Sequence, residues 1–269
     1  MIDYPTIDPI IFSLGPLHVR WYGLMYVIGF VSAYALVAKQ AKRIGWQKLL
    51  DNLDGLNLAL IIGVILGGRL GYVLFYNLSY YMQHPLEIGA IWTGGMSFHG
   101  GAAGALLAGF FYAKKTKLDF WQATDLFVPT VPIGLFFGRL GNFINGELYG
   151  RVTDAPWAMI FPEGGPLPRH PSQLYEAFFE GLILFIILWS LRKTPWQKPP
   201  QRLWPHGSML ALFLLIYGVF RFYIEFCREP DSQLGFVMAH FSMGQVLCVV
   251  MSLIGAFLWW WRCQSTPRA

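Results

Sequence analysis

Apolar runs long enough to cross about 30 Å of hydrocarbon recur seven times along the 269 residues, at roughly 22 to 38, 57 to 77, 98 to 113, 125 to 143, 174 to 191, 208 to 226 and 241 to 261. A water-soluble domain needs polar residues to cover its surface, with roughly a quarter of its residues charged. Here 13% are charged and 55% hydrophobic. The expectation is therefore an all-α polytopic membrane protein with about seven transmembrane helices and one domain spanning 1 to 269. Residues 1 to 16 carry Asp3 and Asp8 and lack a basic stretch leading into an apolar core, so the first span is expected to do the targeting rather than a cleaved signal peptide.

The gaps between the runs set the orientation, because cytoplasmic gaps collect Lys and Arg. Lys39, Lys42, Arg43 and Lys48 follow run one, Lys114, Lys115 and Lys117 follow run three, Arg192, Lys193, Lys198 and Arg202 follow run five, and Arg262 and Arg268 lie in the tail. The other side holds only Arg20, Arg151, Arg169 and Arg228, thirteen cations against four. The N-terminus is thus expected to be periplasmic and the C-terminus cytoplasmic. This clustering between spans also accounts for the net charge of +5 without nucleic acid as a partner. Cys227, Cys248 and Cys263 show no metal-ligand or disulfide spacing, and Trp259, Trp260, Trp261 and Arg262 read as an anchor at the inner interface.

Arg69, Arg139 and Arg221 fall inside the runs, where each costs roughly 2.5 to 3.5 kcal/mol near the bilayer centre unless paired or solvated. Runs two, four and six all travel from inside to outside, and all three arginines lie in their outer halves. Two sit in a shared pattern, Gly68-Arg69-Leu70-Gly71 and Gly138-Arg139-Leu140-Gly141, a weak internal repeat whose glycines also serve close helix packing. Tyr22, His99, Glu147, Glu225 and the pair Glu176 and Glu180 fall at the same outer ends. So does the Gly- and Pro-rich loop 144 to 173 with Arg151, Arg169 and His170, which is expected to form a small periplasmic head. Each residue alone has a plain structural role open to it: Arg221 with Glu225 as an ion pair, Tyr22 as a belt residue, Glu176 and Glu180 as balance for nearby arginines. Their convergence on one leaflet points to a site.

Guanidinium groups in a dry cavity suit a phosphate, since their planar fork of donors matches its oxygens, and the outer-leaflet phosphate is a phospholipid head group. Asn142 and Asn145 can orient head-group hydroxyls. There is no H-E-x-x-H spacing, no G-x-S-x-G elbow and no aspartate cluster for magnesium, so neither metal-dependent transfer nor serine lipase chemistry finds its parts. No metal or cofactor is expected. An arginine-lined cavity would equally serve an anionic-phospholipid transporter or flippase, although that reading calls for access from both leaflets.

The stretch Gly138-Arg139-Leu140-Gly141-Asn142-Phe143-Ile144-Asn145-Gly146-Glu147-Leu148-Tyr149-Gly150 resembles the defining motif of prolipoprotein diacylglyceryl transferases. Four further blocks carry the resemblance along nearly the whole chain: Trp21 to Tyr26, Gly94 to Gly101, Arg169 to Glu176, and Tyr217 to Phe222 with Glu225. The loop before Arg169 is shorter than in some members. The resemblance implies transfer of the diacylglyceryl group of phosphatidylglycerol to the lipobox cysteine of a preprolipoprotein signal peptide, at the inner membrane of a bacterium. His99, Arg139 and Arg221 are then the expected catalytic residues. Arg139, Arg221, Tyr22, Asn142, Asn145, Glu147, Gly150, Tyr217 and Glu225 are expected to bind substrate, and Arg69 is a more remote charge.

Overall fold

The computed structural model describes residues 2–5, 7–15, 17–91, 94–197, 204–229, 236–238 and 241–265. Lys198, Arg202 and Arg268, which entered the charge alternation, lie outside them. Each of the seven apolar runs falls largely on helix. Among the described residues, five helical segments are long and apolar enough to cross a bilayer: Trp21–Ile44, Gln47–Phe75, Phe120–Ile144, Ser172–Trp196 and Met243–Gln264, with Ser208–Ile224 a shorter apolar helix. The chain is a membrane protein. The structure is mostly helical and, among the described residues, also holds two short antiparallel strand pairs, β1 (Ile10–Leu14) with β2 (Leu17–Arg20), and β3 (Phe236–Met238) with β4 (Phe241–Ser242).

Two compact units divide the chain, one of Ala38–Ala123 and one of Met1–Val37 with Thr124–Ala269. In the smaller unit, α2 (Gln47–Phe75) packs on α4 (Phe98–Thr116), with the short α3 (Leu78–Gln83) between them in sequence. Small residues every fourth position make that seam. A Cβ at Gly63 would stand 2.6 Å from the Gly104 carbonyl, one at Gly67 2.3 Å from the Gly100 carbonyl, and one at Gly71 2.8 Å from Gly100 Cα. Backbone thus touches backbone, which is how helices gain dispersion contact where no hydrophobic force drives them together. Arg69, on α2 and buried, holds the loop after α3. It donates to the carbonyls of Glu87 (2.6 Å), Ile88 (2.9 Å) and Gly94 (2.6 Å) and lies over the Tyr81 ring.

From Thr124 onward in the larger unit, α5 (Phe120–Phe127) continues through one 3-10 turn into α6 (Val131–Ile144). Pro129 and Pro132 explain the change of winding, since neither can donate to the ladder. The next rod runs from α7 (Ser172–Glu176) through a π-helical stretch, Ala177–Ile183, into α8 (Leu184–Leu191). Gly181 lets that wider stretch press on α6, for a Cβ there would meet Phe136 backbone at 2.7 Å. An antiparallel pair completes the unit, α9 (Ser208–Ile224) and α10 (Met243–Ser265). It closes at Gly218 and Gly255, where a Cβ would meet the Cys248 carbonyl at 2.8 Å and the Ala211 carbonyl at 2.8 Å respectively. The start of α9 is fixed from a distance. Asp125 of α5, fully buried, accepts from the backbone N–H groups of Gly207 and Met209 and pairs with His206 at 2.9 Å. A carboxylate at a helix N-terminus meets both the unpaired donors and the positive end of the dipole.

Candidate active site

Within the larger unit, three arginines and three glutamates gather around the π-helical stretch. Glu176, fully buried at the end of α7, is the hub. Its Oε2 meets Arg139 Nε of α6 at 2.6 Å, and its Oε1 meets Nη1 of Arg221 at 2.5 Å and Nη1 of Arg228 at 3.2 Å. Glu180, also fully buried, is held more loosely, 3.9 Å from Arg139 and 3.5 Å from Arg221. Glu225, one turn after Arg221 at the end of α9, pairs with its Nη2 at 2.9 Å. Three guanidiniums face three carboxylates, and this formal neutrality is what makes the cluster tolerable in a low dielectric, where an unpaired charge costs several kcal/mol. Among the described residues, Nη1 of Arg139 and Nε of Arg221 stand outside these ion pairs. The two side chains remain 15% and 12% exposed while Glu176 and Glu180 are closed off, so the accessible edge of the cluster is cationic. Tyr217, buried, precedes Arg221 by one helical turn.

The end of α6 builds a second group. Glu147 accepts from Asn142 (2.8 Å) and Asn145 (3.2 Å) through one carboxylate oxygen, and its own carbonyl accepts from the buried Gln173 amide at 2.6 Å. The turn that carries it has two residues in the left-handed region, Gly146 at φ 69° and Leu148 at φ 58°. For leucine that region costs on the order of 1 to 3 kcal/mol. Ser172 donates to the Leu148 carbonyl at 3.0 Å, so α7 grips the turn at two successive carbonyls. Tyr22, near the start of α1 (Trp21–Ile44), packs where Gly141 has no side chain: a Cβ there would meet its ring at 2.8 Å.

Three segments of the chain meet at Gly150. Its N–H donates to the His170 carbonyl at 2.8 Å, it bridges to Arg228, and a Cβ would lie 2.3 Å from the Cys227 carbonyl. Only glycine fits. Arg151 beside it donates to the carbonyls of Arg228 (2.7 Å) and Glu225 (3.4 Å), a cation on the negative end of α9. This clasp brings Arg228 to Glu176.

A profile of the family "Prolipoprotein diacylglyceryl transferase" matches residues 9–261. The chain belongs to that family. It is 61% identical to the phosphatidylglycerol--prolipoprotein diacylglyceryl transferase of Desulfotalea psychrophila over 98% of this chain and 97% of the relative. Proteins of the same name from Geobacter sulfurreducens (54%, covering 94% of this chain and 95% of the relative) and Pseudomonas aeruginosa (51%, covering 100% of both) are also similar to it. Membership makes the chain a transferase.

Of the residues picked out in the sequence, the larger unit brings Arg139, Arg221, Glu225 and Tyr217 to the ion-pair cluster, and Asn142, Asn145 and Glu147 to the adjoining turn. Tyr22 and Gly150 hold shape through packing and close backbone approach. His99 belongs to the smaller unit. It stands in the first turn of α4, exposed, beside Phe98 and after Ser97, whose hydroxyl accepts the Gly100 N–H at 3.2 Å. The sequence reading missed Arg228 and Gln173. Arg221, Glu225 and Arg228 share the spacing i, i+4, i+7, and Gln173 precedes Glu176 by three, so helical periodicity offered a signal for both. Their separation from the motif gave no hint that they would reach it.

Proposed function

We propose that this chain transfers the diacylglyceryl group of phosphatidylglycerol to the cysteine thiol of a prolipoprotein lipobox, forming a thioether and releasing glycerol phosphate. The near-full-length identity to relatives of that name carries the reading. The cationic edge of the Arg139 and Arg221 cluster supports it.

A lipid phosphate fits the donors that the carboxylates leave: Arg139 Nη1, Arg221 Nε, and Arg139 Nη2, which is held only by the long contact to Glu180. In the reaction the cysteine sulfur bonds to the glyceryl carbon and the carbon to phosphate-oxygen bond breaks. Glycerol phosphate leaves with the electron pair, and the thiol proton passes to His99. Charge grows on the phosphate as that bond breaks, so arginines fixed in advance bind the transition state better than the ground state. A free thiol is only a few per cent ionised near neutrality, and a positioned base raises that fraction. Asn142, Asn145 and Glu147 orient the head-group hydroxyls, and Tyr22, Gly150, Tyr217 and Glu225 complete the binding surface.

The same reading has seven membrane crossings, a single catalytic domain over 1 to 269, the N-terminus and the 144 to 173 head in the periplasm, the C-terminus in the cytoplasm, and the site in the outer leaflet of the inner membrane. Thirteen cations against four in the alternating gaps support it.

The test uses purified protein, head-group-labelled phosphatidylglycerol, and a lipobox peptide with Cys or Ser at the acceptor position. Glycerol phosphate released only with Cys is the expected result. Equal release with both peptides, or none with either, removes the assignment.

A further inference from the structure

Arg221 is steered by a helix cap that belongs to neither the motif nor the ion-pair cluster. Ser242, buried, immediately precedes α10, and Ser242-Met243-Gly244-Gln245 forms a reciprocal capping box. Gln245 N–H donates to Ser242 Oγ at 3.2 Å, and Ser242 N–H donates back to Gln245 Oε1 at 3.0 Å. Because the hydroxyl oxygen is occupied as an acceptor, its one proton points elsewhere. It goes to Glu225 Oε1 at 3.0 Å. Gly244 makes the approach possible, since a Cβ there would stand 2.7 Å from that same oxygen. One Glu225 oxygen is therefore seated at the N-terminus of α10, where the dipole favours it, and only the other, Oε2, reaches Arg221 Nη2.

A carboxylate and a guanidinium left to themselves tend to close as a two-pronged pair. The cap prevents that by holding Oε1 on α10. We propose that Ser242 is a positioning residue for Arg221: by keeping Glu225 to a one-pronged grip it fixes the guanidinium while leaving donors for the substrate phosphate. The proposal rests on the reading of Arg221 as a phosphate holder given above. Gln245 completes the cap but makes no hydrogen bond to Glu225 among the described residues, and this separates the two residues experimentally.

The full-length protein in detergent micelles serves for both readouts, the KM for phosphatidylglycerol in the transfer assay and the calorimetric Kd for glycerol phosphate. Ser242→Ala frees Oε1 to close on Arg221 and is expected to weaken both by about tenfold. Ser242→Thr, which keeps the hydroxyl, is expected to restore them. Gln245→Met breaks the cap and lowers the melting temperature as Ser242→Ala does, yet leaves Kd and KM near wild type. A Ser242→Ala protein within twofold of wild type in Kd overturns the proposal, as does a Gln245→Met protein that loses anion binding equally. The Kd needs no turnover, so a protein that fails to transfer lipid but shows this Kd pattern removes the proposed function and leaves the Ser242 inference standing.

Discussion

Arg69 and Arg139 stand in the same tetrapeptide, Gly-Arg-Leu-Gly, on helices of similar composition, yet meet opposite surroundings. Arg69 spends its donors on fixed backbone carbonyls at 2.6 to 2.9 Å from one loop. Carbonyl dipoles solvate a cation without neutralising it, and fixed backbone gives nothing up to a ligand, so Arg69 works as a fastener for residues 87 to 94. Arg139 meets side-chain carboxylates of a neighbouring helix, one tight at 2.6 Å and one loose at 3.9 Å. Such a pairing neutralises the charge and keeps part of the fork available. The same local sequence therefore serves anchorage in one unit and, in the proposed function, ligand binding in the other, and the acceptor type makes the difference.

Removing the hub of the second environment is the severest way to test that contrast. Glu176→Gln leaves three guanidiniums under-compensated and is expected to cost about 3 to 5 kcal/mol, seen as a large drop in the thermal unfolding midpoint in detergent. Glu180→Gln, with its longer contacts, is expected to cost distinctly less; equal losses would mean that the short and long contacts are not different in kind. Next comes activity. Arg139→Lys keeps the charge but loses the fork and is expected to slow transfer by about 100-fold, while Arg69→Lys leaves the folded enzyme near its wild-type rate. If the two lysine variants lose activity alike, the contrast between fastener and ligand holder is wrong.

A smaller effect sharpens the picture of the Arg69 unit. Gly67→Ala drives a methyl to 2.3 Å from the Gly100 carbonyl and is expected to destabilise by about 1 to 3 kcal/mol through overpacking. The matching change at Gly134, where a Cβ would meet nothing within 4 Å, should be near neutral. The smallest effect lies at His170. Burial holds the His170 pKa below its ordinary 6.5, so the unfolded chain binds more protons than the folded one just below that value. Stability is then complete above about 6.5 and falls as the pH drops from there through the lowered folded value. His170→Gln should flatten that acid-side slope in unfolding midpoints measured against pH.

Much of the helical frame was legible because hydropathy acts locally: each apolar run marked a helix without reference to any other. The N-terminal part of α2 was not, since Lys48, Asp51 and Asp54 interrupt the apolar pattern while the helix begins at Gln47. The π-helical winding at Ala177–Ile183 also left no mark, because it answers to the Phe136 backbone against Gly181. Asp125 illustrates the same limit. Its partners Gly207 and Met209 lie more than 80 residues away, and nothing in its own neighbourhood names them.

By itself, the sequence determined that the chain is a helical membrane protein, that three arginines lie within apolar runs, and that its motifs are those of a diacylglyceryl transferase. The first two follow from composition and short-range pattern, the third from the resemblance of its motifs to those of the family. Only the tertiary structure decided which of the arginines became fasteners, which were gathered on Glu176, and that a capped helix start holds Glu225. Those outcomes depend on which acceptor from a distant segment reaches each guanidinium, and in a low dielectric that choice of partner sets both the energy of the charge and its use.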